Sequence, residues 1–200
     1  MLEGALRLKK LPGMCRDAGM PALALTDSNN MFAALEFSVA MAGAGVQPII
    51  GCQVDVAYVE VQPGEKPRPP APMVLLAQSE LGYENLMKLN SCLYLDKGGA
   101  VAEVTLDELE ALSADIICLT GGPMGPVGML LQGGQRPAAE ALMARLQGAF
   151  GDRLYVELQR HPEDGGQPEP ERLTERGFVE MAYAMDIPLV ATNDVYFPKP

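Results

Sequence analysis

The feature that most constrains this chain is the regular alternation of short, largely apolar runs with longer amphipathic stretches. Apolar runs occur at residues 22–26, 47–59, 73–77, 115–120, 154–158 and 189–192. Between them lie segments with helical spacing: 5–18, 31–44, 79 to about 93, 137–150 and 171–185. Several carry their own boundary signals. Ser79 is placed as an N-cap, and Thr105 and Glu108 have the spacing of a capping box. Pro137 suits a first helical turn, and Gly19 and Gly45 are helix stops. Pro12 sits inside the 5–18 pattern and predicts a kink or short break there.

Strand, helix, strand, helix, with short and mostly continuous apolar strands, predicts an α/β protein with a parallel sheet. A barrel and a doubly wound sheet both satisfy that pattern. The strands end at polar residues, namely Thr26-Asp27, Gln53, Thr120, Gln159 to His161 and Asn193-Asp194. Convergence of such ends at one mouth favours the barrel. Residues 62–72 contain five prolines and read as a surface loop rather than a linker, because regular structure resumes on both sides.

Composition narrows the function classes. The net charge of −11 disfavours a phosphate-binding groove built by this chain alone. No apolar run approaches the roughly 18 residues of a membrane span, and the N-terminus lacks a signal-peptide pattern. A cytoplasmic protein without membrane contact is expected. Cys15, Cys52, Cys92 and Cys118 are far apart with no CxxC pair, so reduced, buried thiols are expected rather than disulfides or a zinc ribbon. Residues 121–126 are glycine-rich but lack the Gly-Lys-Ser/Thr ending of a phosphate loop. The twelve methionines read as core filler, and a single histidine supports no catalytic triad.

An ordered set of phrases is more specific. Leu2-Glu3-Gly4-Ala5-Leu6, Pro21-Ala22-Leu23-Ala24-Leu25-Thr26-Asp27-Ser28-Asn29-Asn30, Pro48-Ile49-Ile50-Gly51-Cys52 and Val74-Leu75-Leu76-Ala77-Gln78 come first. Gly82-Tyr83-Glu84-Asn85-Leu86, Leu119-Thr120-Gly121-Gly122, Tyr155-Val156-Glu157-Leu158-Gln159-Arg160-His161 and Val190-Ala191-Thr192-Asn193-Asp194-Val195-Tyr196 follow. Together they resemble the PHP (polymerase and histidinol phosphatase) domain of bacterial DNA polymerase III alpha subunits, over the whole chain. The Leu-Glu-Gly-Ala and Asn-Asp-Val-Tyr phrases are similar to the polymerase branch rather than to free-standing histidinol-phosphate phosphatases.

The resemblance implies a distorted, TIM-like (β/α)7 barrel spanning residues 1–200, without its first strand, with a polymerase module following. A missing strand would leave an open edge at residues 1–20. Complete members hold a cluster of divalent metals, and some hydrolyse phosphoesters. Here the family's His-x-His would lie ahead of Leu2. Ser28 stands where a His is usual, Gln53 where a Glu is expected, Pro72-Met73 brings no His, and Tyr196 replaces a final His. Three candidate ligands remain: Asp27, His161 and Asp194. The plainer reading of Asp27 and Asp194 is as turn or cap residues, and of His161 as an exposed loop residue beside Pro162. Three ligands suffice for one zinc or manganese ion but not for a cluster. The expectation is therefore a catalytically inactive domain with no cofactor or at most one divalent metal. Its expected partners are the rest of the polymerase alpha subunit and the proofreading exonuclease subunit, with DNA held elsewhere in the full-length protein. A metal-dependent phosphoesterase, nuclease or pyrophosphatase is the alternative.

Overall fold

A computed structural model describes residues 6–59, 71–95, 102–161, 167–193 and 195. The chain begins with a 3-10 turn at Leu8–Lys10 and α1 (Leu11–Asp17), then β1 (Ala22–Leu25), α2 (Ala34–Gly43) and β2 (Gln47–Ala57). Next come β3 (Ala71–Ala77), α3 (Glu80–Cys92), β4 (Val104–Thr105), α4 (Leu106–Ala111) and β5 (Ile116–Leu119). The remainder is α5 (Pro126–Gln132), α6 (Arg136–Phe150), β6 (Leu154–Gln159), α7 (Glu169–Met185) and β7 (Leu189–Thr192).

The boundary signals act as the sequence predicts. Pro12 takes the second position of α1, where its missing N–H is no loss, and the break falls just ahead of it. The Ser79 hydroxyl accepts from the Gly82 N–H at 3.3 Å. Thr105 and Glu108 close a reciprocal capping box. In α6, Pro137 again occupies the first turn.

The strands form one sheet in the order β1-β2-β3-β5-β6-β7, with β4 pairing to β2 off that path. It curls through part of a barrel, helices packed outside, so the α/β barrel class holds. The expectation of a parallel sheet needs correction. β3 runs antiparallel to both β2 and β5, while β1–β2, β5–β6 and β6–β7 are parallel. The connection from β2 to β3 is short for the crossover that a parallel pair requires, which favours the antiparallel pairing. Pro72 also belongs to β3, opposite Asp55, rather than to the loop; most of that loop lies outside the described residues. Pro72 is near the strand's start, where a missing donor is tolerated. Helix α5 is an addition to the elements read from sequence. The 22–26 run is less buried than a continuous apolar strand implies, because β1 is an outer strand of the sheet, with Ala24 exposed.

The main core joins Met73, Leu75, Leu86, Leu89, Ile116, Met143, Phe150, Val156 and Phe178 across β3, α3, β5, α6, β6 and α7. A second cluster of Leu11, Cys15, Phe37, Met41 and Val46 ties α1 and α2 over β1, with Leu23, Leu25 and Ile50 against it. All four cysteines are free, and Cys15, Cys52 and Cys118 are buried. No described helix is long and apolar enough to cross a membrane.

Helix α3 is fixed against the start of β5 with little tolerance. Asn85 Nδ2 donates to the Ala114 carbonyl at 3.1 Å, and Ser79 Oγ donates to Asp115 Oδ2 at 2.6 Å. A Cβ on Gly82 would lie 2.0 Å from the Asp115 carbonyl oxygen, so the helix must move to admit one. Gly82→Ala is expected to destabilise the chain by about 1–3 kcal/mol, which urea denaturation would measure.

Candidate functional site at the barrel mouth

Because only β3 is reversed, the carboxyl ends of β1, β2, β5, β6 and β7 lie at one end of the sheet, beside the start of β3. Two polar clusters occupy this mouth. The first joins the ends of β1 and β2. The Gln53 N–H donates to the Asp27 carbonyl at 3.1 Å and the Asn29 N–H to the Gln53 carbonyl at 2.7 Å. These bonds carry the parallel pairing past β1 and place Ser28 beside Gln53. Gln53 Nε2 then donates to Ser28 Oγ at 3.3 Å. The two positions that depart from the metal-binding pattern are thus neighbours, joined by a neutral hydrogen bond.

Asn29 completes this cluster in a left-handed conformation at φ 55°. Its Nδ2 donates to Asp55 Oδ2 at 2.8 Å and its Oδ1 accepts from the Asp55 N–H at 2.9 Å. The Tyr94 hydroxyl donates to the Asn29 carbonyl at 2.8 Å. Beneath them, Cys52 Sγ lies 3.3 Å from the Asp27 carbonyl and 3.4 Å from that of Asn30. Burial pushes its thiol up to about 11, so it stays protonated at neutral pH. Burial also raises the Asp27 carboxyl above the ordinary aspartate value, and no hydrogen bond to that carboxylate is formed among the described residues.

The second cluster joins the ends of β5, β6 and β7 around Glu157, which is only 3% exposed. One carboxylate oxygen accepts from the Gly121 N–H at 2.9 Å; the other accepts from the Thr192 hydroxyl and from Gln159 Nε2 at 3.4 Å. The Glu157 N–H itself donates to Thr120 Oγ1 at 3.0 Å. Gly121 is required where it stands. Its φ is +79°, and a Cβ would fall 1.9 Å from the Pro72 carbonyl oxygen.

Of the three sequence candidates, Asp27 lies in the first cluster and His161 just beyond β6. Asp194 lies outside the described residues, as does Tyr196. His161 is held rather than loose: its N–H donates to Glu171 Oε2 at 3.0 Å, and its Nδ1 lies 2.6 Å from Glu171 Oε1. Glu171 is buried in the first turn of α7, where the helix dipole favours a carboxylate. Glu157, Glu171, Asn29 and Asp55 were not among the sequence candidates. A carboxylate inside the apolar run Leu154-Tyr155-Val156-Glu157-Leu158 was the available signal for the first.

These donors do not fit a cluster of divalent metals. Positions 28 and 53 offer a hydroxyl and an amide already bonded to each other, and both oxygens of Glu157 already accept hydrogen bonds. Among the described residues no three His, Cys, Asp or Glu side chains are grouped to hold a metal ion.

Residues 1–161 match the family model of the PHP domain. The chain belongs to the PHP domain family. Its sequence is 43% identical over 201 residues to the DNA polymerase III subunit alpha of Caulobacter vibrioides (strain NA1000 / CB15N), covering 100% of this chain and 17% of that protein. The Treponema pallidum (strain Nichols) subunit is 35% identical over 204 residues, again with 100% and 17% covered. This PHP chain therefore spans about one-sixth of the length of these relatives. In fold it is similar to a protein from Bifidobacterium adolescentis assigned as a metal-dependent phosphoesterase, with TM-score 0.54 and 13% identity over 99% of this chain and 85% of that one. An amidohydrolase from Chromobacterium violaceum, solved with sulfate and no metal, gives TM-score 0.58 and 14% identity over 98% and 84%. At such identities the likeness concerns the fold alone.

Two expectations test the mouth. Glu157→Ala leaves the Gly121 N–H and the Thr192 hydroxyl without an acceptor and should cost at least about 2 kcal/mol in urea denaturation, with Glu157→Gln intermediate. For Asp27, a folded-state value above the unfolded one means the native state binds the extra proton. Stability is then lost as pH rises from the ordinary aspartate range through the folded value, and stays lower above it. Asp27→Asn should therefore be more stable than the parent chain at pH 7. That advantage should shrink toward pH 4 in paired denaturation curves.

Proposed function

We propose that this PHP domain works as a non-catalytic part of a DNA polymerase III alpha subunit. In this reading it braces the polymerase module and offers a docking surface for the proofreading exonuclease subunit. The observation that carries the proposal is the neutral Ser28–Gln53 pair at the mouth. Two or three dications held a few Å apart need several anionic or imidazole ligands to offset their charge. A hydroxyl and an amide supply none of it. The net charge of −11 supports a role other than gripping nucleic acid, so DNA would be contacted by the rest of the subunit. A cytoplasmic location accords with that role.

A second reading has one observation in its favour. Glu171 on His161 Nδ1 is the kind of contact that orients an imidazole for metal ligation through its other nitrogen. Asp27, His161 and Asp194 would then share one zinc or manganese ion in a residual phosphoesterase site.

Metal analysis of protein purified without chelator, paired with a phosphomonoester hydrolysis assay, separates the two. Substoichiometric zinc and manganese and no hydrolysis are expected, together with measurable binding to the matching exonuclease subunit. Stoichiometric metal that disappears with hydrolysis in His161→Ala would establish the second reading instead.

A further inference from the structure

The apolar interior is divided in two. The second core cluster consists of Leu11, Cys15, Phe37, Met41 and Val46, with Leu6, Leu8, Leu23, Leu25 and Ile50 packed on it. Only Ile50 comes from beyond residue 46, and it lies in the half of β2 that pairs with β1. In the other direction, among the described residues, Met31 is the one residue before 47 that packs on the main core. Alternation along β1 accounts for the division. Leu23 and Leu25 turn to the second cluster, which leaves only Ala22 and Ala24 for the opposite face, and Ala24 is exposed.

Residues 6–46 are therefore held to the rest of the chain mainly by backbone pairing and polar contacts. β1 pairs with β2 from Ala22–Gln47 to Leu25–Ile50. Past it come the backbone bonds of Asp27 and Asn29 with Gln53, the Asn29 amide on Asp55 and the Tyr94 hydroxyl on the Asn29 carbonyl. The Ser28–Gln53 and Tyr94–Asn29 bonds are exposed, where water replaces a lost partner at small cost. Every ion pair among the described residues lies between residues 84 and 180, so none strengthens this junction.

We infer that residues 6–46 unfold from the sheet as one unit, taking the Asp27–Asn29 side of the mouth with them, while the main core stays closed. Few shared apolar contacts and solvent-facing hydrogen bonds mark a cooperative unit of low stability. Helices of 7 and 10 residues are marginal on their own, so α1 and α2 melt once they lose β2. Opening bares the edge of β2 that carries the Gln47 and Gln53 N–H groups, and it frees Ser28 and Asn29 from Gln53 and Asp55. The Glu157 side is untouched, because Thr120, Gly121, Gln159 and Thr192 all belong to the main body. The mouth thus has one fixed side and one that yields.

Residue-resolved amide hydrogen exchange on this chain, repeated at several urea concentrations below the unfolding transition, tests the inference. The slowest amides of α1, β1 and α2, and the Gln53 N–H that donates to Asp27, are expected to share one protection factor. It should lie at least tenfold below that of the slowest amides in β3 and β5, which the Gly121 and Glu157 N–H groups should follow. Exchange in the first set should rise with urea along one common slope, shallower than in the second, because less surface is exposed. Val156→Ala, a deletion in the main core, should speed exchange in β3 and β5 several-fold and leave α2 unchanged, since the lobe opens with that core intact. Equal protection of α2 and β5, or an equal response of both to Val156→Ala, marks a single cooperative unit and overturns the inference. So does exchange in α1, β1 and α2 that is indifferent to urea, which is the sign of separate fraying, or a Gly121 N–H that follows α2.

Discussion

Everything in this fold is hung on β2. It is the longest strand, with eleven residues, and it makes three pairings. Its first half holds β1 in parallel, its second half holds β3 antiparallel, and its last two residues hold β4. A strand has two hydrogen-bonding sides. With β3 on one, β1 and β4 must share the other, and the Asp27–Asn29 segment fills the gap between them through its bonds to Gln53. The mouth therefore inherits its geometry from β2. Gln53 and Asp55, two residues apart, point to the same side of the sheet and each meets the turn after β1, one at Ser28 and one at Asn29.

Much of this was legible from residues alone, and the exceptions have definite causes. Helices with explicit chemistry at their ends, such as Thr105 with Glu108 or Pro137 in the first turn, were readable because capping is a local event. The direction of β3 was not. Its apolar run, Met73-Val74-Leu75-Leu76-Ala77, reads the same whichever way it runs. Only the lack of a helical pattern between residues 59 and 71 hinted at a hairpin, and the prolines there drew attention to a loop instead. The moderate burial of β1 was hidden for a related reason. Burial of a strand depends on what flanks it in the sheet, which no local pattern records.

The candidate site divides the same way. Ser28 and Gln53 stood out as departures from a family pattern, yet their separation of 25 residues gave no hint that they would bond to each other. Glu157 is the opposite case. A carboxylate within an apolar strand announces a partner, because an unpaired buried charge would be costly. The sequence did not say which partners, since Gly121 follows β5 and Thr192 ends β7, and the two meet Glu157 only once the sheet is assembled. His161 was singled out as the one histidine, but its hold on Glu171 depends on how α7 is laid against the end of β6.

The two halves of the mouth use different physics for the same task, which is to join loops that leave separate strands. In a metal-bearing barrel a dication would do this by charge, drawing several anionic side chains to one point. Here the β1–β2 side is joined by uncharged groups: Ser28 with Gln53, backbone bonds, and the Asn29 amide on Asp55. The β5–β6–β7 side keeps a charge, but Glu157 spreads it over a backbone N–H, a hydroxyl and an amide. Each such bond to an ionised acceptor contributes about 1.5–3 kcal/mol, and the set stays satisfied without any bound ion. Apart from the Asp27 carboxylate, the polar side chains of the two clusters are committed to one another or to the backbone. The mouth can therefore hold the ends of these strands together by its own bonds.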